Sequence, residues 1–287
     1  MNTLAKPETK PAEEKKSALA IASVQIAGYI NKGSLNLPDN YSVGNALKEA
    51  WVIIQSTVNS DRKPALQVCT QDSVVLAMMD MAIQGLSPHK NQCYFIVYGD
   101  KLACQRSYFG DMALAKCVLP GLEFYYNVVR EDEEFIQEFT QGKNTIQHRR
   151  GISTDKKIIG AYCGAILNGV DRGADVMDIE RIKKSWSMSK TYKTDNAADP
   201  HNKFDDEFSL RTVIRHYCKP IIAASDDSEL MKAVLRQEIE SIEGLTASEA
   251  ALEANVIELQ LPAPRETTQE NVSENEEAPS SPGGLPY

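Results

Sequence analysis

The segment from Lys203 to Lys219 carries the side chains whose types and spacing best fit a chemical role. Three cations recur every fourth residue, so in a helix they share one side, opposite an apolar stripe. If the helix is continuous from Lys203, two phenylalanines join that side. Its members are then Phe204, Phe208, Arg211, Arg215 and Lys219. Such a pattern can bind a nucleic-acid strand through phosphate pairing and base stacking. The alternative is a solvated charged side with two aromatic rings packed on a neighbouring element.

Further positive charge is concentrated between Gln141 and Lys193, where eleven Lys and Arg residues stand against five Asp and Glu residues. The two clusters in this stretch are Arg149, Arg150, Lys156 and Lys157, and then Arg181, Lys183, Lys184 and Lys190. Arg106, at the end of a predicted strand, would present a cation beside a helix N-terminus, which itself favours phosphate. Single exposed lysines also occur for solubility alone, so it is their concentration that indicates an anion-binding surface.

The net charge of −9 comes from the C-terminal part of the chain. The segment from Glu240 to Tyr287 has ten acids and one base, which leaves 30 acids and 30 bases in the rest. An acidic protein is therefore compatible with a locally basic surface. The composition from Pro262 onwards predicts a disordered acidic tail. That tail either binds a partner, competes with nucleic acid for the basic surface, or only keeps the protein soluble.

Signatures of enzymes are weak in this sequence. Lys143 follows Gly142, but Asn144 stands where a P-loop needs Ser or Thr, and neither G-x-G-x-x-G nor H-E-x-x-H occurs. The acidic runs 131–134 and 205–207 leave a Mg²⁺-dependent nuclease open. The first run is nevertheless typical of a solvated turn and the second of a helix N-terminus. The six cysteines have no C-x-x-C spacing, so we expect reduced thiols, no metal and no cofactor.

Helices and strands alternate along the middle of the chain. Apolar spacing predicts helices at 18–30, 43–59, 72–84, 108–119, 178–190, 203–218 and within 229–259. Hairpins are predicted around Gly99-Asp100 and Asn168-Gly169, with a further strand at 122–130. We expect an exposed loop at 191–202 and a helix end before Pro220. Without strict βαβ alternation, the pattern favours an α+β fold.

The chain is expected to divide into four parts. These are a tail with one short helix (1–40), the main domain (41–222), a small helical unit (223–261) and the acidic tail (262–287). No apolar run is long enough to cross a bilayer, and residues 1–16 lack the apolar stretch of a signal peptide. A cytosolic protein is therefore expected.

Four segments between about residues 46 and 221 resemble, in order, motifs of the RecT family of phage and prophage single-strand annealing proteins. They are 73–88, a helix that closes in Gly-Leu-Ser-Pro; 106–116, Arg-Ser-Tyr-Phe-Gly-Asp-Met-Ala-Leu-Ala-Lys; 128–135, a strand exit; and 205–215, Asp-Asp-Glu-Phe-Ser-Leu-Arg-Thr-Val-Ile-Arg. The sequence departs from the family pattern at Phe109 and Leu210, where basic residues are usual. Arg106 is a candidate to supply the charge that Phe109 lacks.

The resemblance implies an α+β fold in which a β-sheet of hairpins is backed by helices and carries a basic DNA groove. By matching position, Arg211, Thr212 and Arg215 would contact DNA, with Arg106 and Lys116 nearby. Together with the basic clusters, the candidate DNA-binding residues are Arg106, Lys116, Arg149, Arg150, Lys183, Lys184, Lys190, Phe204, Phe208, Arg211, Thr212, Arg215 and Lys219.

The implied function is ATP-independent binding and annealing of single-stranded DNA in homologous recombination, without catalytic residues. Expected partners are single-stranded DNA, annealed duplex DNA and further copies of the chain in a ring or helical filament. A partner exonuclease or a host single-strand-binding protein would bind through the C-terminal region, in the cytoplasm of a bacterial host cell. A Mg²⁺-dependent nuclease of a phage recombination system and a non-catalytic DNA-binding scaffold remain alternatives.

Overall fold

The computed structural model describes residues 17–245, except residues 36, 39, 153–154, 189–191, 193, 195 and 198. Its helices are α1 (Ala18–Asn31), α2 (Val43–Ser56), α3 (Ala65–Val68), α4 (Gln71–Ile83), α5 (Tyr108–Val118), α6 (Ile179–Trp186), α7 (Pro200–Lys203), α8 (Asp205–Ala223) and α9 (Ser228–Leu245). Its strands are β1 (Cys93–Tyr98), β2 (Lys101–Arg106), β3 (Leu122–Arg130), β4 (Glu134–Thr140), β5 (Lys143–Arg149), β6 (Ile158–Leu167) and β7 (Val170–Asp178). The strands form three small antiparallel sheets, β1-β2, β3-β6-β7 and β4-β5.

Helices and antiparallel sheets together confirm the prediction of an α+β fold. In this described part, every helix is too short or too polar to traverse a lipid bilayer.

The first hydrophobic core surrounds α4, the helix whose sequence is apolar almost all round. Met78 and Met81 are completely buried, as expected for residues that fill a core. Thr70 begins the helix by accepting a hydrogen bond from the Ser73 N–H, and α1 and α2 pack against it. The β1–β2 hairpin adds Phe95 to this core and turns at Gly99, whose φ of 60° suits glycine.

The second core lies between the three-stranded sheet and helices α5, α6 and α8. Alternate residues of a strand point to opposite faces of its sheet. On β6, Ala161, Cys163 and Ala165 pack with Val213 and Ile214 of α8. One face of this sheet is therefore covered by α8.

The β4–β5 hairpin covers the opposite face of the same sheet. His148 on β5 contacts Tyr162, which lies between Ala161 and Cys163 and therefore points away from α8. The Asn144 side chain donates to the carbonyl of Ala174 on β7 at 3.1 Å. The acidic run at 131–134 predicted a solvated turn, but sequence patterns did not predict this hairpin. Strand β4 is exposed almost throughout. Its sequence therefore lacks the alternation of apolar and polar residues that predicts a half-buried strand.

Helix α8 differs from its prediction at both ends. It continues through Pro220 to Ala223, although proline cannot donate the usual hydrogen bond to the carbonyl four residues earlier. Burial of Ile222 in the second core stabilises the helical course beyond the proline. At the other end, Phe204 has φ −123° and ψ 51° and separates α7 from α8, so the helix is not continuous from Lys203.

Helix α9 joins the two cores. Ala233 packs in the first core, whereas Leu230 and Val234 pack in the second. Arg236 forms an ion pair with Asp80 on α4, a residue that is itself buried. All six cysteines are free in the structure, and Cys93, Cys104, Cys163 and Cys218 are buried.

Candidate nucleic-acid interface

The outward side of α8 brings together five of the residues that the sequence singles out. We call it the α8 face, and it consists of Phe208, Arg211, Thr212, Arg215 and Lys219. The helix is held in register by the complete burial of Val213, Ile214 and Cys218 on its other side. Acidic residues in its first turn complement the helix dipole.

Arg211 is the exposed cation at the centre of the α8 face. Its guanidinium lies 5.8 Å from the centre of the Phe208 ring, a cation–π arrangement. In the part of the chain that the structure describes, no carboxylate comes within ion-pair distance of it. Partial burial of the guanidinium lowers the pKa of Arg211, and the positive charge of Arg215 lowers it further. Arginine nevertheless stays protonated at neutral pH, so a charge remains available to an anion.

Arg215 is held by an internal ion pair and still reaches the surface. Its Nε donates to Asp111 Oδ2 at 3.0 Å, and its Nη2 donates to the carbonyl of Arg106 at 3.0 Å. The Asp111 side chain is 6% exposed, whereas that of Arg215 is 42% exposed. One edge of the Arg215 guanidinium is thus fixed to the protein while much of the side chain faces solvent.

Arg106 lies beneath Arg215 and not on the surface. Its side chain is 9% exposed, and its Nε donates to Asp111 Oδ1 at 2.5 Å. Its Nη1 donates to the side-chain carbonyl oxygens of Gln84 and Gln237, at 2.6 and 3.1 Å. The guanidinium is turned inward, so Arg106 does not supply a surface charge in place of Phe109. Arg106 does lie close to Arg215, but the hydrogen bonds of its guanidinium are all made to residues inside the protein.

Thr212 and Phe208 join the α8 face to the helices beside it. The Trp186 indole Nε1 on α6 donates to Thr212 Oγ1 at 3.0 Å, and Thr212 Oγ1 donates to the Phe208 carbonyl at 2.8 Å. Phe208 is half-buried against Trp186 and His201, with its ring centre 4.0 Å from that of His201. Packing therefore occupies much of both side chains, and the donors of the face that reach solvent are Arg211, Arg215 and Lys219.

Four aromatic side chains that sequence patterns did not predict as contacts form a connected group, of which two lie near Arg211 and two lie beside Tyr108. They are Tyr94, Tyr108, Phe109 and Tyr126, and we call them the aromatic border. Tyr94 and Tyr108 lie close enough to Arg211 to interact with it electrostatically, and Tyr126 and Glu207 lie similarly close to Tyr108. The ring centres of Tyr108 and Phe109 are 4.0 Å apart.

Members of the aromatic border reach solvent on three different elements. Tyr94 on β1 is 50% exposed, Phe109 on α5 is 42% exposed and Tyr126 on β3 is 37% exposed. Partial burial raises the pKa of the Tyr108 phenol, with Tyr126 and Glu207 adding to the effect. In the sequence, the alternation of Cys93, Tyr94 and Phe95 along a predicted strand is a signal that could have indicated an outward-facing ring at Tyr94.

Lys219 of the α8 face and two further predicted residues, Lys116 and Phe204, lie exposed around α8. Lys219 forms an ion pair with Glu238 of α9 at 3.4 Å. Lys116 on α5 places its Nζ 5.9 Å from the centre of the Phe124 ring. Phe204 is exposed at the start of α8 with the Lys203 ammonium 5.2 Å from its ring centre.

Lys183 and Lys184 are exposed in the last turn of α6, which packs beside α8. Their helix is tied to α8 at its other end, where Arg181 Nη2 lies 3.2 Å from His216 Nε2. Lys190 lies outside the described residues.

Arg149 and Arg150 belong to the opposite side of the molecule. They stand at and just after the end of β5, in the hairpin that covers the sheet face turned away from α8. Arg149 is exposed and lies 3.4 Å from Glu134. The structure therefore does not bring this pair together with Arg211 and Arg215.

The acidic runs take part in internal contacts. Glu133 accepts hydrogen bonds from the Arg130 and Gly151 N–H groups and lies 3.1 Å from His148 Nε2. Asp206 lies 4.0 Å from Arg130. Among the described residues, no cluster of His, Cys, Asp and Glu has the arrangement of a metal site. The acidic groups thus give the nuclease alternative no support.

Fold and site together define an α+β protein with a cationic, aromatic-bordered helix face, the kind of surface that binds nucleic acid. A sequence model described as the RecT family matches residues 44–249, well over half of the chain. The chain belongs to the RecT family of single-strand annealing proteins, which bind DNA and act in recombination. This confirms the resemblance seen in the sequence. No match was found among curated proteins.

Proposed function

We propose that this protein anneals complementary single strands of DNA without hydrolysing a nucleotide, and that the α8 face and the aromatic border form its primary DNA contact. The observation that carries the proposal is the position of Arg211 and Arg215. They are successive cations on one exposed helix side, beside the exposed rings of Tyr94, Phe109 and Tyr126.

Neutralisation of phosphate is the first physical step. Two DNA strands repel each other through their backbones, and fixed cations reduce that repulsion while releasing condensed counterions. Arg211 and Arg215 are four residues apart on α8, so their guanidiniums serve one stretch of backbone. Contacts with phosphate carry no sequence information, which leaves the bases free to test complementarity.

The aromatic border is suited to hold bases of the bound strand. An exposed ring contributes about 1–3 kcal/mol per stacked base, with little dependence on sequence. Phe109, which stands where the family usually has a basic residue, fits this role because its ring is exposed beside Tyr108. Stacking would thus replace one phosphate contact in this chain.

Base pairing supplies the free energy of the overall reaction, so the protein needs no ATP and acts as a binding protein and not as an enzyme. Lys116, Lys183 and Lys184 are proposed to extend the contact from the α8 face, which includes Lys219, along the exposed surface around α8. Arg149 and Arg150 are proposed to contact DNA from the other side of the sheet, as a separate cluster.

The protein is further proposed to form a homo-oligomer, either a ring or a filament, and to act in the cytoplasm of a bacterial host cell. Its C-terminal region would bind an exonuclease or a single-strand-binding protein.

The direct test mixes complementary oligonucleotides with the full chain, without ATP, and follows duplex formation by fluorescence while the oligomer is imaged. We expect pairing that is faster than the spontaneous reaction and that slows steeply as salt is raised. Binding without accelerated pairing would instead identify a scaffold. Loss of DNA strands over time with Mg²⁺ would identify a nuclease.

A further inference from the structure

A single buried carboxylate lies between two arginines at the base of the α8 face. Asp111, in the first turn of α5, accepts a hydrogen bond from Arg106 through Oδ1 and from Arg215 through Oδ2. Local sequence makes this approach possible, because Gly110 has no Cβ. A Cβ there would lie 2.1 Å from the Gln92 carbonyl oxygen and 2.6 Å from Arg106 Cγ.

The tethers on Arg215 fix the plane of its guanidinium without occupying all of its donors. Nε is directed to Asp111 and Nη2 to the Arg106 carbonyl. Within the described residues, Nη1 has no hydrogen-bond partner. Because a guanidinium is a rigid planar fork, fixing one edge also fixes the direction in which its other edge donates.

The balance of charge keeps Arg215 useful to an anion. Three groups meet here, two guanidiniums and one carboxylate, and so leave one net positive charge. Arg106 is 9% exposed and cannot reach a strand, whereas Arg215 is 42% exposed. The carboxylate thus offsets the buried cation, and the remaining charge lies at the surface.

The C-terminal helix completes this arrangement. Arg106 Nη1 donates to Gln237 on α9 as well as to Gln84 on α4. Helix α9 is fixed nearby by the ion pair of Arg236 with Asp80. A chain of side chains therefore leads from α9 through Arg106 and Asp111 to Arg215.

We propose that Asp111 is a positioning residue for DNA binding: it orients Arg215 toward the phosphate backbone, with Arg106 and Gln237 of α9 holding Asp111 in place. The inference rests on the function proposed above. An arginine that is already oriented loses less conformational freedom when it binds phosphate, so binding is tighter than charge alone would give.

The sign of one substitution distinguishes this role from simple electrostatics. Asp111→Asn keeps the shape of the side chain and removes its negative charge. If Asp111 mattered only as a charge, the variant would bind an anionic strand more tightly. The positioning role predicts the opposite, a dissociation constant for single-stranded DNA about fivefold or more above wild type.

The experiment measures that dissociation constant for the full chain as wild type, Asp111→Asn, Arg215→Ala and the double variant, by fluorescence anisotropy with a labelled oligonucleotide. We expect Asp111→Asn to weaken binding in the wild-type background and to have no further effect when Arg215 is already alanine. Equal weakening in both backgrounds would show a merely structural role, tighter binding would show a charge effect, and unchanged binding would show that Asp111 does not contribute. Each of these results would overturn the inference.

A second variant keeps the test decisive if Asp111→Asn does not fold. Arg215→Lys retains the charge on a half-exposed residue but cannot keep the fork. It is expected to bind nearly as weakly as Arg215→Ala, and wild-type affinity in this variant would refute the inference. If wild type itself did not bind single-stranded DNA, the proposed function would fail first. If wild type binds and these variants bind equally well, only the positioning role fails.

Discussion

Trp186 donates a hydrogen bond from its indole Nε1 to Thr212 Oγ1 at 3.0 Å, and this contact fastens α6 to the middle of the α8 face. Trp186 is buried and its ring also packs against Phe208. The resemblance implies that Thr212 contacts DNA, and Thr212 also accepts this hydrogen bond within the protein. The stability of the protein and the geometry of the α8 face therefore depend on the same contact.

Trp186→Phe keeps an aromatic ring and removes the donor. We expect the free energy of unfolding to fall by about 1–2 kcal/mol, from the lost hydrogen bond and the smaller ring. Urea unfolding followed by circular dichroism measures the change. Trp51→Phe, a half-buried site on α2, serves as the control for loss of ring size alone. Equal losses in the two variants would show that the bond to Thr212 contributes nothing.

Gly110→Ala is predicted to disturb the junction of α5 with β2. The added methyl group would overlap the Gln92 carbonyl and the Arg106 side chain, so we expect a loss of about 1–3 kcal/mol. Gly44→Ala on α2 is the matched control, since its Cβ would meet nothing within 4 Å, and it should be neutral or slightly stabilising. Thermal unfolding of the two variants side by side makes the comparison, and an undiminished stability for Gly110→Ala would count against the close approach.

The Glu133 carboxylate should make the stability depend on pH in the acid range. Burial alone would raise the pKa of Glu133, but hydrogen bonds from the Arg130 N–H, His148 and the Gly151 N–H together hold that pKa below its ordinary value. A folded pKa below the unfolded one means that the stabilisation is complete above the unfolded value of about 4.3 and is lost as pH falls through the folded value.

Glu133→Gln should therefore be less stable than wild type at pH 7, and the difference should shrink as pH falls below about 4.3. Urea unfolding between pH 7 and pH 3 tests this expectation. Glu131→Gln, an exposed neighbour in the same turn, is the control and should leave the pH profile unchanged. A difference between wild type and Glu133→Gln that stays constant with pH would show that the hydrogen bonds do not act through the charge.

The acidic tail gives a prediction that depends on sequence alone, because residues 262–287 lie outside the described residues. If the tail competes with DNA for the α8 face, its deletion should tighten binding of single-stranded DNA, most clearly at low salt where charges are least screened. Anisotropy titrations of the full and shortened chains measure this effect. Identical affinities would rule out competition and leave partner binding or solubility as the role of the tail.

Sequence patterns anticipated the parts of the fold that depend on local spacing. The buried helix ending before Gly85, the turn at Gly99-Asp100 and the placement of Arg211 and Arg215 on one side of α8 all follow from period or turn chemistry. The proposed DNA contacts themselves remain predictions.

The features that sequence patterns missed depend on tertiary packing. Pro220 does not end α8, because burial of Ile222 outweighs the missing hydrogen bond. Asp111 and Arg215 are 104 residues apart in sequence, and no local pattern indicates that they meet. The aromatic border likewise gathers residues from β1, β3 and α5, which only the folded chain brings together.

The most direct test of the proposed function compares annealing by Arg211→Ala/Arg215→Ala with annealing by Lys48→Ala/Lys63→Ala. The control also removes two exposed cations, but from α2 and the loop that follows it, which carry none of the predicted contacts. We expect Arg211→Ala/Arg215→Ala to lose annealing while its circular dichroism spectrum shows that the fold is kept. The slope of log affinity against log salt concentration should be smaller in magnitude by about 1.4, because two phosphate contacts with a single strand are lost. The control should anneal like wild type. Annealing at the wild-type rate by Arg211→Ala/Arg215→Ala would contradict the assignment of the α8 face.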